Sequence, residues 1–172
     1  MTFSNRTAAT GGLRVCYLTT REWLSRFPLS ILQLGMRIAV GSVFFKAGLM
    51  KYNSWEVTLL LFRDEYKVPL LDPMLAARIA MYQELTVPIL LFLGLATRLA
   101  TLPLLGMIAV IQTFVYPNAW SDHLLWGSVL VLLLTRGPGV FSLDYLIDRF
   151  FARRHSNVGA IQRKLAQEPS RL

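Results

Sequence analysis

The sequence is short of charge. Asp, Glu, Lys and Arg make up only 16% of its 172 residues, whereas a water-soluble domain carries about 25%. That shortage excludes an ordinary soluble globular domain. Cysteine occurs once, at Cys16, which excludes an intramolecular disulfide and a CxxC redox pair. The two histidines, His123 and His155, lie on opposite flanks of the last apolar segment. They cannot share an ion, so no metal site is expected. No haem, flavin or iron–sulfur motif is visible, and no internal repeat. Acidic residues are outnumbered, ten against eighteen basic ones, for a net charge of +8. Such an excess raises nucleic-acid binding first. Here the basic residues cluster in the flanks of apolar runs. No zinc-finger spacing, RNA-binding aromatic motif or basic helical stripe accompanies them, and nucleic acid is excluded as a partner.

What the chain does have is apolar length. Hydrophobic residues reach 54% and mean hydropathy is +0.46. Four segments approach the ~20 apolar residues that a membrane-crossing helix needs: Leu29 to Met50, Met74 to Leu95, Leu99 to Tyr116, and the shorter His123 to Thr135, starting near Ser121. The connections are a long one at 51–73, a tight turn at 96–98 and a Pro117–Asn118 turn at 117–122. Short connections make neighbours antiparallel, so the expected fold is all-α, a four-transmembrane-helix up-down bundle. The first 28 residues are too polar and long for a cleavable signal, and are read as a cytoplasmic N-terminal tail. The membrane domain is placed at 29–136, a GPG exit and amphipathic interfacial helix at 137–155, and a mobile cytoplasmic tail at 156–172.

Basic residues set the orientation. Arg6, Arg14, Arg21, Arg26, Arg98, Arg136, Arg149, Arg153, Arg154, Arg163, Lys164 and Arg171 fall on one side, and only Lys51, Arg63 and Lys67 on the other. Both termini are therefore expected in the cytoplasm. After Gly137–Pro138–Gly139, Ser142 is a plausible helix cap with Asp144 in the first turn. Leu143, Leu146, Ile147, Phe150 and Phe151 then recur at helical spacing among arginines, as in a helix lying on a leaflet. Trp55, Leu59, Phe62 and Tyr66 make a similar stripe in the first loop, opposite Asp64 and Glu65. A short surface-lying helix is expected there.

Charges inside an apolar span need partners, because each costs roughly 2.5–3.5 kcal/mol on insertion scales. Arg37 and Glu84 both fall near mid-depth of antiparallel spans, and a pairing between them, structural or functional, is expected. Arg37, Gly41, Phe44, Gly48 and Lys51 share one helical face of the first span. Ala77, Met81, Glu84, Pro88 and Leu91 share one of the second. Gly41 and Gly48 permit close helix approach, and Pro88 frees a backbone carbonyl beside the carboxylate. Arg78, Gln83, Gln112, Asp122 and His123 lie toward the outer ends, where with Lys51 and Tyr52 they are expected to line a pocket. Trp120, Trp126, Tyr116 and Tyr52 suit an aromatic belt there, and an aromatic pocket with Arg and His also suits a quinone head group.

These residues resemble the DoxX family of small four-helix bacterial membrane proteins. Arg37 through Gly41, Phe44, Gly48 and Lys51 are similar to its R-x3-G-x2-F-x3-G-x2-K pattern. Glu84 precedes a Gly94–Arg98 turn, His123–Trp126 opens the last span, and a closing GPG-x2-SLD run covers Gly137 to Asp144. The resemblance implies the bacterial inner (plasma) membrane and a redox link to the quinone pool, with quinone as the cofactor candidate. It implies a partner redox enzyme or operon-encoded complex, with self-association into a homo-oligomer left open. Arg37, Glu84 and His123 are the candidates for chemistry, and Lys51, Arg78, Gln83, Gln112 and Trp126 for ligand binding. A non-enzymatic anchor or accessory protein is the alternative, and a small transporter the third choice.

Overall fold

The computed structural model describes residues 5–152, with side chains from Arg14 onward. The expectations for 153–172, His155 and the tail among them, lie outside the described residues. Every regular element described is helical, and no strand occurs among the described residues. In chain order these are α1 (Asn5–Ser25), α2 (Leu29–Asn53), α3 (Trp55–Leu61, extended by a π-helical turn Phe62–Tyr66), α4 (Pro73–Leu93), α5 (Thr97–Val110, extended by a π-helical turn Ile111–Val115) and α6 (Trp120–Arg136). A last helix, α7, runs through 143–152.

Local chemistry sets the boundaries. Asp72 starts α4: its carboxylate accepts from Met74 N at 3.0 Å and Leu75 N at 3.2 Å. Pro73, at the first helical position, has no N–H to satisfy. Gly94 ends the same helix in the left-handed region at φ +65°, and Leu95 N returns to Leu90 O at 2.9 Å, the glycine-dependent closure that satisfies late carbonyls. Pro88 is accommodated inside α4; its missing N–H leaves the Glu84 carbonyl without its helical partner.

α2, α4, α5 and α6 form a closed ring, each packed on the next and α6 back on α2. Neighbours are antiparallel. Lys51 near the end of α2 meets Glu84 on α4, while Arg37 nearer its start meets Phe141 beyond the end of α6. The core between them is built from Val40, Phe44, Val87, Leu91, Leu104, Leu130 and Leu133. The faces read from helical phase are the buried ones: Arg37, Gly41, Phe44 and Gly48 on α2, and Ala77, Met81, Glu84, Pro88 and Leu91 on α4. Both glycines mark close approach. A Cβ on Gly41 would lie 2.6 Å from the Phe92 ring, and one on Gly48 2.9 Å from Glu84 Cβ and 3.0 Å from its backbone.

The outer surface of the ring is mostly apolar, with Lys46 and Arg78 as exposed charges on it. Leu99, Leu124 and Leu125 are each about 60% exposed or more, a distribution that suits hydrocarbon as the surrounding solvent. α2, α4 and the 19-residue stretch Thr97–Val115 are long and apolar enough to cross a membrane. α6, at 17 residues, is the short one, as its sequence indicated.

Two sequence expectations change. The segment read only as a polar N-terminal tail contains a 21-residue helix, α1. All its described side chains are exposed. The first-loop stripe does form a helix, but it does not merely lie on a surface. Phe62 is buried against Ala76 and Ala77 of α4, with Trp55 and Tyr66 beside it.

Candidate functional site

The bundle has two ends. One carries the α2–α4 connection and is called the loop end. The other, where α2 begins and α6 finishes, is the tail end. At the loop end a cavity of ≈ 610 Å³ opens between α2, α4, α5, α6 and the π-helical turns, a size in the range of small-molecule sites. Its wall is mostly apolar: Val43, Phe44, Ile79, Met107, Val110 and Ile111 among others. Lys51, Gln83, Glu84, His123, Tyr66, Tyr116, Asp122 and Trp126 supply the polar and aromatic points on it.

Glu84 is 3% exposed, so its charge needs a partner. Lys51 provides one: Nζ donates to both carboxylate oxygens, at 2.8 and 2.7 Å. The anticipated Arg37–Glu84 pairing is therefore corrected. Gly48 packs on Glu84 and Gly41 on the Phe92 ring, so Arg37 comes level with the far end of α4, beside Gly94. The eleven residues from Arg37 to Gly48 span about 16 Å along the helix, too far for a guanidinium to reach. Equal depth had been inferred by aligning the ends of the two spans. In fact α2 starts well beyond the end of α4 and packs there on the chain leaving α6. Lys51 lies one turn past Glu84 and its stem reaches back.

His123 is buried at 6% exposure, on the cavity wall next to Trp126, with ring centroids 5.8 Å apart. Its orientation is set from α5. Gln112 Nε2 donates to Pro117 O at 2.7 Å, which turns Oε1 of the same amide toward His123 Nδ1. An amide oxygen only accepts, so Nδ1 carries a proton in this contact, and Nε2 is the ring nitrogen Gln112 leaves open. Gln112 thus positions the imidazole rather than lining the cavity. Gln83 lines it and donates to Pro103 O, tying α4 to α5.

Two tyrosines meet on the cavity wall. Tyr66 and Tyr116 pack edge to face at 5.8 Å, their hydroxyls 3.4 Å apart, and Tyr116 donates toward Glu65 at 3.4 Å. Burial, then the contact with Tyr116, pushes the Tyr66 hydroxyl well above the ordinary tyrosine range, keeping it neutral and able to donate. The sequence showed Tyr66 only as part of an apolar stripe. Its place on the cavity depends on the fold of the 54–72 connection.

The remaining expectations divide. Arg78 is exposed on the outside of α4 and does not join the site. Arg37 belongs to the tail end, fully buried, with Nη2 donating to Phe141 O. Asp144 does more than favour its own helix: its carboxylate accepts from Ala96 N at 2.7 Å and Thr97 N at 2.9 Å, capping α5 from a distance. Ser142 does cap α7, accepting from Tyr145 N at 3.2 Å. Among the described residues no three His, Cys, Asp or Glu side chains converge to hold a metal ion.

Comparison with known proteins gives a match to the DoxX family model over residues 32–117, half of the chain. A relative in Haemophilus influenzae, described only as an uncharacterized protein, is 29% identical, the alignment covering 67% of this chain and 83% of the relative. No solved structure matches.

Proposed function

Since this chain belongs to the DoxX family of membrane proteins, we propose that it is the membrane subunit of a redox system, with its loop-end cavity as a quinone site. The carrying observation is the ≈ 610 Å³ apolar cavity with a Lys51–Glu84 pair on its wall and a buried His123 beside Trp126. An isoprenoid tail suits the apolar wall. A quinone head group suits the donors on this wall, Lys51 Nζ and the Tyr66 hydroxyl, which can reach its carbonyl oxygens, with the His123 ring beside them.

A bound quinone supplies a two-electron, two-proton acceptor. Electrons come from a partner redox enzyme, because this sequence shows no haem, flavin or iron–sulfur motif. The chain's own residues bind the head group and move protons. His123, held by Gln112, offers Nε2 for proton exchange. Glu84 and Lys51 form a buried pair whose proton and charge can redistribute without leaving a lone ion in the low-dielectric wall. Arg37 stays outside this chemistry and holds the tail end together.

The reading places four spans in the bacterial inner membrane, with α6 the fourth, both termini cytoplasmic and α7 on the inner leaflet. The twelve-to-three bias of basic residues supports that orientation, and the loop-end cavity then opens toward the outer face. An anchor or accessory role is the second reading, favoured by the full satisfaction of Glu84 by Lys51.

The test is to purify the chain from its native membrane, extract and analyse bound quinones, and assay quinone-linked activity together with the products of adjacent genes. Bound quinone and activity that falls in Glu84→Gln at unchanged abundance support the redox reading. Neither bound quinone nor activity refutes it, and parallel loss of abundance and function in Glu84→Gln favours the anchor.

A further inference from the structure

A second cavity, of ≈ 580 Å³, lies at the tail end, where the α4–α5 turn, the chain leaving α6 and the start of α7 meet α2. It shares no lining residue with the loop-end cavity. Arg98 and Arg136 both line it, and among the described residues neither guanidinium has an ion-pair or hydrogen-bond partner. Arg98 lies along Gly137, its Nε and Nη2 3.5 Å from where a Cβ would stand. That is ordinary van der Waals contact; what calls for glycine at this position is its φ of +80°.

Two carboxylates share the lining. Asp144 is already engaged, both oxygens accepting from the first amides of α5, with the Arg37 charge nearby. Asp148 remains, so the lining holds two uncommitted guanidiniums and one uncommitted carboxylate. The rim adds exposed apolar side chains, Leu99 at 69%, Val140 at 49% and Ile147 at 42%. A site joining a guanidinium pair to an apolar rim, at the end of a bundle whose outside faces hydrocarbon, has the chemistry of a membrane phospholipid.

We infer that this tail-end cavity binds the phosphodiester head of a phospholipid, with Arg98 and Arg136 on the phosphate and the acyl chains leaving over Leu99, Val140 and Ile147. A soluble phosphate would make no use of the apolar rim. The lipid would bridge the α4–α5 turn to the α6–α7 exit and fix α7 against the bundle.

The full chain, delipidated in detergent, is titrated with phosphatidylglycerol, with a diacylglycerol of the same acyl chains and with inorganic phosphate, and bound lipid is counted by native mass spectrometry. Phosphatidylglycerol should bind more tightly than the diacylglycerol, and salt should weaken it. Arg98→Gln with Arg136→Gln should reduce its affinity by at least about tenfold, from the loss of charge-assisted hydrogen bonds. Asp148→Asn should bind at least as tightly as the unaltered chain. Equal binding of the two lipids by the unaltered chain overturns the proposal without any variant needing to fold. So does unchanged affinity in the double arginine variant. Displacement of the lipid by equimolar inorganic phosphate overturns it as well, since the site would then be one for soluble phosphate.

Discussion

Lys51 and Arg37 lie on the same face of α2, one in its last turn and the other about a third of the way along, and are held in opposite ways. Lys51 meets a full opposite charge, Glu84, on the wall of a cavity. Arg37 meets a backbone carbonyl, that of Phe141, in a packed region where its Nε and Nη1 have no partner among the described residues. The glycines follow the same division. Gly48 brings α2 and α4 together beside the ion pair, whereas Gly94 clears space for the Arg37 guanidinium: a Cβ there would lie 1.8 Å from Nη1 and 2.5 Å from Ser142 Cβ. Lys51 has open space beside it, and Arg37 has none. The contrast teaches where to look for chemistry: a charge with a partner and an adjacent cavity can change state, while a charge wedged against backbone serves mainly to fix chain positions.

The largest expected effect breaks the loop end. Glu84→Leu leaves the Lys51 charge without its partner and should lower stability by about 3–5 kcal/mol, read as thermal unfolding in detergent. Adding Lys51→Met should recover most of that loss, because the pair is then replaced by apolar groups. If the double variant is as unstable as the single, the pair is not the source.

At the tail end, Gly94→Ala places a side chain at φ +65° and against Arg37. A loss of about 1–3 kcal/mol is expected, with quinone binding at the loop end retained in whatever protein folds. Loss of quinone binding from well-folded Gly94→Ala protein would erase the distinction between the ends. Asp144→Ala removes the cap that α7 lends to α5, for about 1 kcal/mol. Hydrogen exchange should show that loss concentrated at the first turn of α5. The smallest effect is the control: Gly127→Ala meets nothing within 4 Å and should be neutral or stabilising by about 0.4–1 kcal/mol.

Much of this division was legible in the sequence because it depends on one helix at a time. A 100° phase places Arg37, Gly41, Phe44 and Gly48 on one face and Glu84 with Leu91 on another, and those faces are the buried ones. Ser142 as the cap of α7 is equally local. What the sequence concealed depends on how helices slide past each other. Arg37 and Glu84 have matching depths only if their spans end level, and α2 overruns α4 at the tail end. Arg78 lies toward the same end of its helix as the cavity but faces outward. Asp144 caps a helix 47 residues earlier in the chain, a pairing no spacing rule contains. Tyr66 reaches the cavity through a π-helical turn, where the ordinary helical phase no longer predicts direction.

The central claim is that a quinone occupies the loop-end cavity, and photolabelling tests it most directly. Irradiating the chain in native membranes with an azido-quinone should mark peptides carrying Tyr66, Met107 or Trp126, and excess unlabelled quinone should suppress the marking. Marking confined to lipid-facing positions such as Leu124 and Leu125, or to the tail end, and indifferent to competitor, would contradict it.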